Sequence, residues 1–451
     1  MDGAAQFGNL GAPLSGNAAV PKISPVVEHR PAAQTATRSG LAERFFAICV
    51  LTLSTTAFVN LFPGESGLEF EEQGKLFAQV LWSILYILML FLVRKRLTEI
   101  VRLIWQDKFL VALLGWACIS VLWSIDRQVT IRHFIALLGT TLFGVYLAVR
   151  YPMRDQLRLL TLVLGIVISA SVFACLAFPH YAITVADFSE GPSWQGVVAH
   201  RNTLGRLAVL VAVILVLYFL ERVRRTTILV AIAFLFFVVI LTQSKTAVVY
   251  FILGIVAFPF VRAFHRNPAK RKKILGLALL AFGGLMALTY YNWEQFTYSL
   301  GRDPALTGRF ALWGLSINWI AERPFFGYGF DAFWSSYYGP AADFRIASGW
   351  LAAPHAHNGF INLCLDLGLI GVMLFILSFA FTYRKALALA KIAKTAEGFW
   401  PVTLLTFFLV YSFTELGFMS RNELFWILYI AAMFSIRVNF VKNVSTGRHA
   451  F

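Results

Sequence analysis

Apolar residues in this chain run in stretches of about 20, divided by short polar clusters, instead of alternating at a strand or surface-helix period. A bilayer core of about 30 Å is crossed by roughly 20 helical residues rising 1.5 Å each. On that ruler the pattern predicts twelve spans, at about 45–62, 77–93, 109–123, 133–149, 159–178, 204–220, 227–241, 246–261, 274–290, 358–382, 399–413 and 422–436. The seventh and eighth form a hairpin turning at Thr242-Gln243-Ser244-Lys245. The predicted fold is an all-α integral membrane protein. It has a tail at 1–44, spans one to nine within 45–290, a large loop at 291–357, spans ten to twelve within 358–436 and a tail at 437–451.

Composition excludes the soluble alternative that 451 residues would otherwise allow. Hydrophobic residues make up 59%, charged residues 14%, and mean hydropathy is +0.70, whereas a soluble domain carries about 25% charged residues. The first 40 residues are rich in Ala, Gly, Pro and Ser and hold no apolar stretch of signal-peptide type, which predicts a disordered tail. The net charge of +16 comes from short basic clusters between the spans, so it is a topology signal rather than a nucleic-acid surface. With the N-terminus inside, 28 Lys and Arg fall on inside segments and 11 on outside ones. Both termini are therefore expected in the cytoplasm. Cys49, Cys118, Cys175 and Cys364 all lie in apolar runs, which leaves no thiol in a loop for a disulfide or structural zinc.

Two outside loops are long, at about 179–203 and 291–357. The second has 67 residues, of which 17 are aromatic, among them Trp293, Trp313, Trp319, Trp334 and Trp350. A segment of that composition folds or lies on the membrane interface. Arg309 to Ile320 reads as an amphipathic helix there, ended by Pro324, Gly327 and Gly329. No half of the chain repeats the other, which counts against an inverted-repeat transporter.

Outside polar residues gather in four places: Trp194-Gln195-Gly196-Val197-Val198-Ala199-His200-Arg201-Asn202-Thr203, Gln243-Ser244-Lys245, Thr307-Gly308-Arg309 with Trp313, and Pro354-His355-Ala356-His357-Asn358. The predicted topology puts all four at one membrane face, as a single site requires. His357 stands at the entrance of a long helix, where the macrodipole disfavours the imidazolium and leaves a neutral ring able to accept a proton. Two other readings stay open: His357 and Asn358 cap the helix, or His355 and His357 hold a metal, for which no carboxylate cluster is evident in the sequence. Arg309 and Lys245 are external cations suited to phosphate, the Arg as a two-pronged donor and the Lys as a point charge. Asp366, nine residues past His357, falls about 13 Å deeper on a straight helix, as a proton relay or as a packing group beside Gly368 and Gly371.

Taken in order, Ser120-Val121-Leu122-Trp123-Ser124, Trp194…Ala199-His200-Arg201-Asn202-Thr203-Leu204-Gly205, Leu241-Thr242-Gln243-Ser244-Lys245-Thr246, Thr307-Gly308-Arg309…Trp313, Arg323-Pro324…Gly327-Tyr328-Gly329 and His355-Ala356-His357-Asn358-Gly359…Leu367-Gly368-Leu369…Gly371 resemble the O-antigen ligase and polysaccharide polymerase superfamily, in particular its exopolysaccharide-production (ExoQ) type. The resemblance implies a metal-independent glycosyltransferase of the GT-C-like membrane class, in a bacterial inner membrane with the active site on the periplasmic side. No cofactor is implied. The implied donor and acceptor are glycans on undecaprenyl pyrophosphate, and the implied partners are the bilayer, a chain-length regulator and export machinery. Carried over by position, Arg309 matches the pyrophosphate arginine and His357 the acceptor histidine. Lys245 stands where ligases often carry a second arginine, which favours a polymerase over a ligase. Trp194, His200, Arg201, Asn202, Trp313, Arg323, His355 and Asn358 are then expected to line the substrate. A ligase acting on lipid A core or protein is the alternative enzyme, and a flippase of lipid-linked glycan the alternative from another class.

Overall fold

The computed structural model describes residues 40–58, 68–184, 191–219, 225–266, 309–335, 339–343, 355–393 and 395–445. These residues form helices joined by turns and loops, with one two-stranded ribbon. The helices are α1 (Leu41–Ser54), α2 (Leu68–Val93), α3 (Leu97–Trp105), α4 (Lys108–Ile119), α5 (Arg127–Arg150), α6 (Met153–Ala177), α7 (Pro179–Ala182), α8 (Arg201–Phe219), α9 (Arg225–Leu241), α10 (Lys245–Arg266), α11 (Arg309–Glu322), α12 (Gly359–Ile392), α13 (Ala396–Ser412) and α14 (Leu424–Ser445). A helix overlaps every predicted span except 274–290, which lies outside the described residues, as do the tail to residue 39, Trp293 and Trp350. Among the described residues, four helices are long and apolar enough to cross a membrane by length and composition, α5, α6, α8 and α12, or five if the bent pair of α2 and α3 is one span.

Outward faces confirm the solvent. Ile84, Ile87 and Phe91 on α2, Phe173 and Leu176 on α6, Val230 and Phe237 on α9, and Val249 and Ile252 on α10 are all exposed. Water would penalise each of these by about 1.5–3 kcal/mol relative to burial, and lipid does not. Polar positions are used at the ends instead. Asp107 and Asp126 cap α4 and α5 by accepting from the backbone N–H of Leu110 and Val129, at 2.9 and 3.0 Å. The core centres on α14, whose Trp426, Tyr429 and Phe434 are fully buried. Gly144 of α5 brings that helix against Ile430 of α14, because a Cβ there would lie 2.7 Å from the Ile430 side chain.

α11 runs from Arg309 to Glu322, two residues past the predicted end, and Pro324 stops it. The segment after it does something periodicity cannot predict. α12 is broken at Gly368, whose φ of 66° is left-handed, and the loop 324–330 docks into the break. Tyr328 and Gly329 donate their N–H groups to the carbonyls of Leu365 and Asp366 (2.7 and 3.0 Å), and Leu369 donates to Pro324 (2.7 Å). The Trp116 indole donates to the Leu367 carbonyl at 3.0 Å. The carbonyls of Leu365, Asp366 and Leu367 and the Leu369 N–H, freed by the break, thus find partners, as low-dielectric surroundings require. Glycine is obligatory at the contact, since a Cβ on Gly368 would lie 2.2 Å from the Phe325 carbonyl carbon, and one on Gly327 2.6 Å from that of Asp366.

This break gives Asp366 neighbours that a straight helix would not, because the helix that carries it is interrupted two residues later. The Gly329 that bonds it is followed by Phe330, which donates to Ser120 Oγ at the end of α4 (3.0 Å) and accepts from Thr130 in the first turn of α5 (3.1 Å). Asp366 therefore belongs to the layer of helix ends and loops, and the continuous run after the break is 369–392.

Candidate active site

The site is assembled from helix beginnings. Asn358 caps α12, its Oδ1 accepting from Phe360 N–H and Ile361 N–H at 3.0 and 3.2 Å. His357 precedes it in a left-handed conformation (φ 49°). A non-glycine residue held there costs free energy that the surroundings must supply, which is a recurrent mark of functional positions. The His357 N–H donates to His355 Nδ1 at 3.1 Å, and the two rings lie 4.2 Å apart. Trp313, in the second turn of α11, donates its indole N–H to the Ala356 carbonyl (2.8 Å), and Ala356 donates to Asn362 Oδ1 (2.9 Å). Arg309 opens α11 one turn before Trp313.

α8 begins beside this turn. His200 accepts the Asn202 N–H on its own Nδ1 at 3.1 Å, and Arg201 is the first residue of the helix. Glu415, from the loop between α13 and α14, joins the two helix starts. Its Oε2 lies 3.4 Å from His357 Nδ1, and its Oε1 accepts from Asn202 Nδ2 at 3.4 Å. Partial desolvation holds His200 below the ordinary histidine value; Arg201, His357 and Arg206 push the same way and Glu415 opposes them. Arg206, one turn into α8, is paired with Glu423 at 3.4 Å and hydrogen-bonded to the Tyr411 hydroxyl.

The turn before α10 completes the group. Gln243 is left-handed (φ 53°), and Ala247 and Thr242 pack against Gly205, one turn into α8. Tyr250 on α10 reaches Thr414, the neighbour of Glu415, so Lys245 opens α10 at the same end of the molecule. Four helices, α8, α10, α11 and α12, thus present their N-termini to one region, each with partial positive charge.

Of the residues expected from sequence, the structure brings together His200, Arg201, Asn202, Trp313, His355, His357 and Asn358, with Lys245 and Arg309 placed by their helices. Two stand apart. Trp194 pairs with Ile183 in a two-residue strand and packs half-buried against the core. Arg323 lies beyond the far end of α11, about 15 Å along the axis from Trp313, with its guanidinium 4.9 Å over the Tyr328 ring. Asn358 is present, but its carbonyl oxygen is committed to the cap.

Glu415 is the residue that sequence reading missed. It sits 58 positions from His357, in a short loop with no motif to connect them. It also changes the metal question, because a carboxylate does accompany the two histidines: one ligand atom from each of His355, His357 and Glu415 lies within 4.8 Å of the others. Two histidines and a carboxylate are a donor set for a divalent transition metal. The hydrogen bonds just described already engage His355 Nδ1 and His357 Nδ1, so coordination through those nitrogens requires breaking them.

Residues 229–376 match the O-antigen ligase domain, Wzy_C, a stretch that contains Lys245, Arg309, His355 and His357. The chain is 28% identical over 283 residues to the exopolysaccharide production protein ExoQ of Rhizobium meliloti, covering 57% of this chain and 60% of that one. It is 33% identical over 94 residues to a candidate polysaccharide ligase of Rickettsia conorii, covering 20% of this chain and 22% of that one. The chain thus spans less than two thirds of the length of either relative. Asn202 and Glu415 lie outside the family match.

Proposed function

We propose that this protein is a membrane glycosyltransferase that polymerises undecaprenyl-pyrophosphate-linked repeat units at the outer face of the inner membrane, with His357 as the proton acceptor. The observation that carries the reading is the convergence of four helix N-termini on a histidine that does not itself cap a helix. Glycosyl transfer from a pyrophosphate forms a bond between an acceptor oxygen and the donor's anomeric carbon. It breaks the bond from that carbon to phosphate, and the acceptor proton must go to a base. Positive helix ends, Lys245 and Arg309 suit the leaving pyrophosphate, and His357 suits the proton.

The similarity to an exopolysaccharide production protein and the lysine at position 245 favour polymerisation. The match to the O-antigen ligase family keeps ligation as the second reading. Purified protein incubated with lipid-linked repeat units separates them. Longer lipid-linked chains are expected; chains moved to a different acceptor would make it a ligase, and unchanged chains would leave transport of the lipid-linked glycan.

A further inference from the structure

Three histidines meet at this site, and their hydrogen bonds distinguish them. A neutral imidazole carries one N–H and one lone pair, so a ring nitrogen that accepts a backbone N–H forces the proton onto the other nitrogen. His200 accepts the Asn202 N–H at Nδ1, and His355 accepts the His357 N–H at Nδ1. Both are thereby assigned the form protonated at Nε2, in which neither nitrogen has a lone pair to offer. His357 is the reverse case. Its Nδ1 faces a carboxylate oxygen at 3.4 Å, an acceptor that demands Nδ1–H and leaves the lone pair on Nε2.

We propose that Glu415 is the positioning residue of this site, holding His357 in the Nδ1–H form so that Nε2 is the nitrogen that takes the acceptor proton. The inference rests on the reading of His357 as proton acceptor. The carboxylate is itself oriented, because its other oxygen accepts from Asn202 Nδ2, and its side chain is largely enclosed, with 12% of its surface exposed against 25% for His357. Proton transfer then runs from the acceptor hydroxyl to His357 Nε2, and the resulting imidazolium is stabilised by the adjacent carboxylate. Glu415 does not take the proton. Besides Glu415, the titratable groups that face His357 are His355 on the same turn and His200 immediately before α8, and Arg201 and Arg206 of α8 act on His200.

Diethylpyrocarbonate, which acylates the unprotonated imidazole, tests this without requiring turnover. Carbethoxylation of His357 in the detergent-solubilised full chain, followed by mass spectrometry across pH, reports when the ring loses its proton. Glu415→Gln removes a negative neighbour that favours the imidazolium, so the midpoint for His357 is expected to move to lower pH. The transfer rate should fall about ten- to a hundredfold at saturating lipid-linked repeat unit, with little change in KM. Asn202→Ala, which leaves the carboxylate in place, should lower the rate less; it serves as the second variant if Glu415→Gln does not fold. An unmoved midpoint in Glu415→Gln, or a normal rate in both variants, would overturn the proposal. Failure of the underlying reading looks different: His357→Ala would then transfer at the normal rate whatever Glu415 does.

Discussion

Asn358 closes the N-terminus of α12 and leaves His357, one residue earlier, outside the cap with its imidazole turned to Glu415. The two roles that spacing left entangled fall on separate residues, and this permits a clean separation by mutation. Asn358→Ala should cost about 1 kcal/mol of stability, read as a lower unfolding temperature in detergent, with transfer largely retained. His357→Ala and His357→Asn should leave stability nearly unchanged and lower the rate by about 10²–10⁴-fold. His355→Ala should be milder. Because a base is lost on protonation, the wild-type rate should decline on acidification. Chelators should leave the rate unchanged, and inhibition by them would instead implicate the His355, His357 and Glu415 donor set.

Lys245 and Arg309 open α10 and α11 and are expected to act on the leaving group. Each alanine variant should insert normally and lose about ten- to a hundredfold in rate, the equivalent of roughly 1.5–3 kcal/mol for a charge-assisted contact. Lys245→Arg should keep most of the activity. Normal rates in both alanine variants would move the pyrophosphate elsewhere, with Arg201 the next cation to replace.

Gly368 answers to geometry alone. With φ at 66° and the Phe325 backbone where a Cβ would stand, Gly368→Ala should cost at least about 1–3 kcal/mol and release the loop 324–330 from α12. Thermal unfolding in detergent, with limited proteolysis near residue 326, would register both effects. An unchanged unfolding temperature would mean that the break in α12 does not need glycine.

Asp331 predicts a pH dependence of stability. Burial raises its carboxyl, but Arg421 Nε at 3.1 Å and His133 Nδ1 at 3.0 Å outweigh burial and hold it at about 2. A carboxyl depressed in the folded state contributes stability above its unfolded value, near 3.9, and loses it as pH falls toward 2. Asp331→Asn should therefore be less stable than wild type at pH 7, by about 2 kcal/mol. The difference should shrink between pH 4 and pH 2, and a constant difference across that range would assign the loss to packing.

Asn318 is exposed on α11 and offers a test of sidedness. A thiol introduced as Asn318→Cys, with the four native cysteines replaced, should react in intact spheroplasts with a reagent that does not cross the membrane. Reaction only after the inner membrane is opened would reverse the topology and remove the periplasmic placement of the site.

The helices were legible in the sequence because a bilayer imposes one length and one polarity on whatever crosses it, and runs of apolar residues report both. The four polar clusters were legible for a related reason, since charge bias predicts which loops share a face. Nothing in that logic reaches from one loop to another. That Glu415 meets His357 across 58 residues, that the loop after α11 fills a break in α12, and that Asp366 lies among the helix ends instead of midway along a continuous helix are consequences of packing. Each depends on backbone groups finding partners and on a glycine allowing two chains to touch. Even the difference between His357 and its neighbours His355 and His200 is tertiary, because the protonated nitrogen of an imidazole is decided by what stands against the other one.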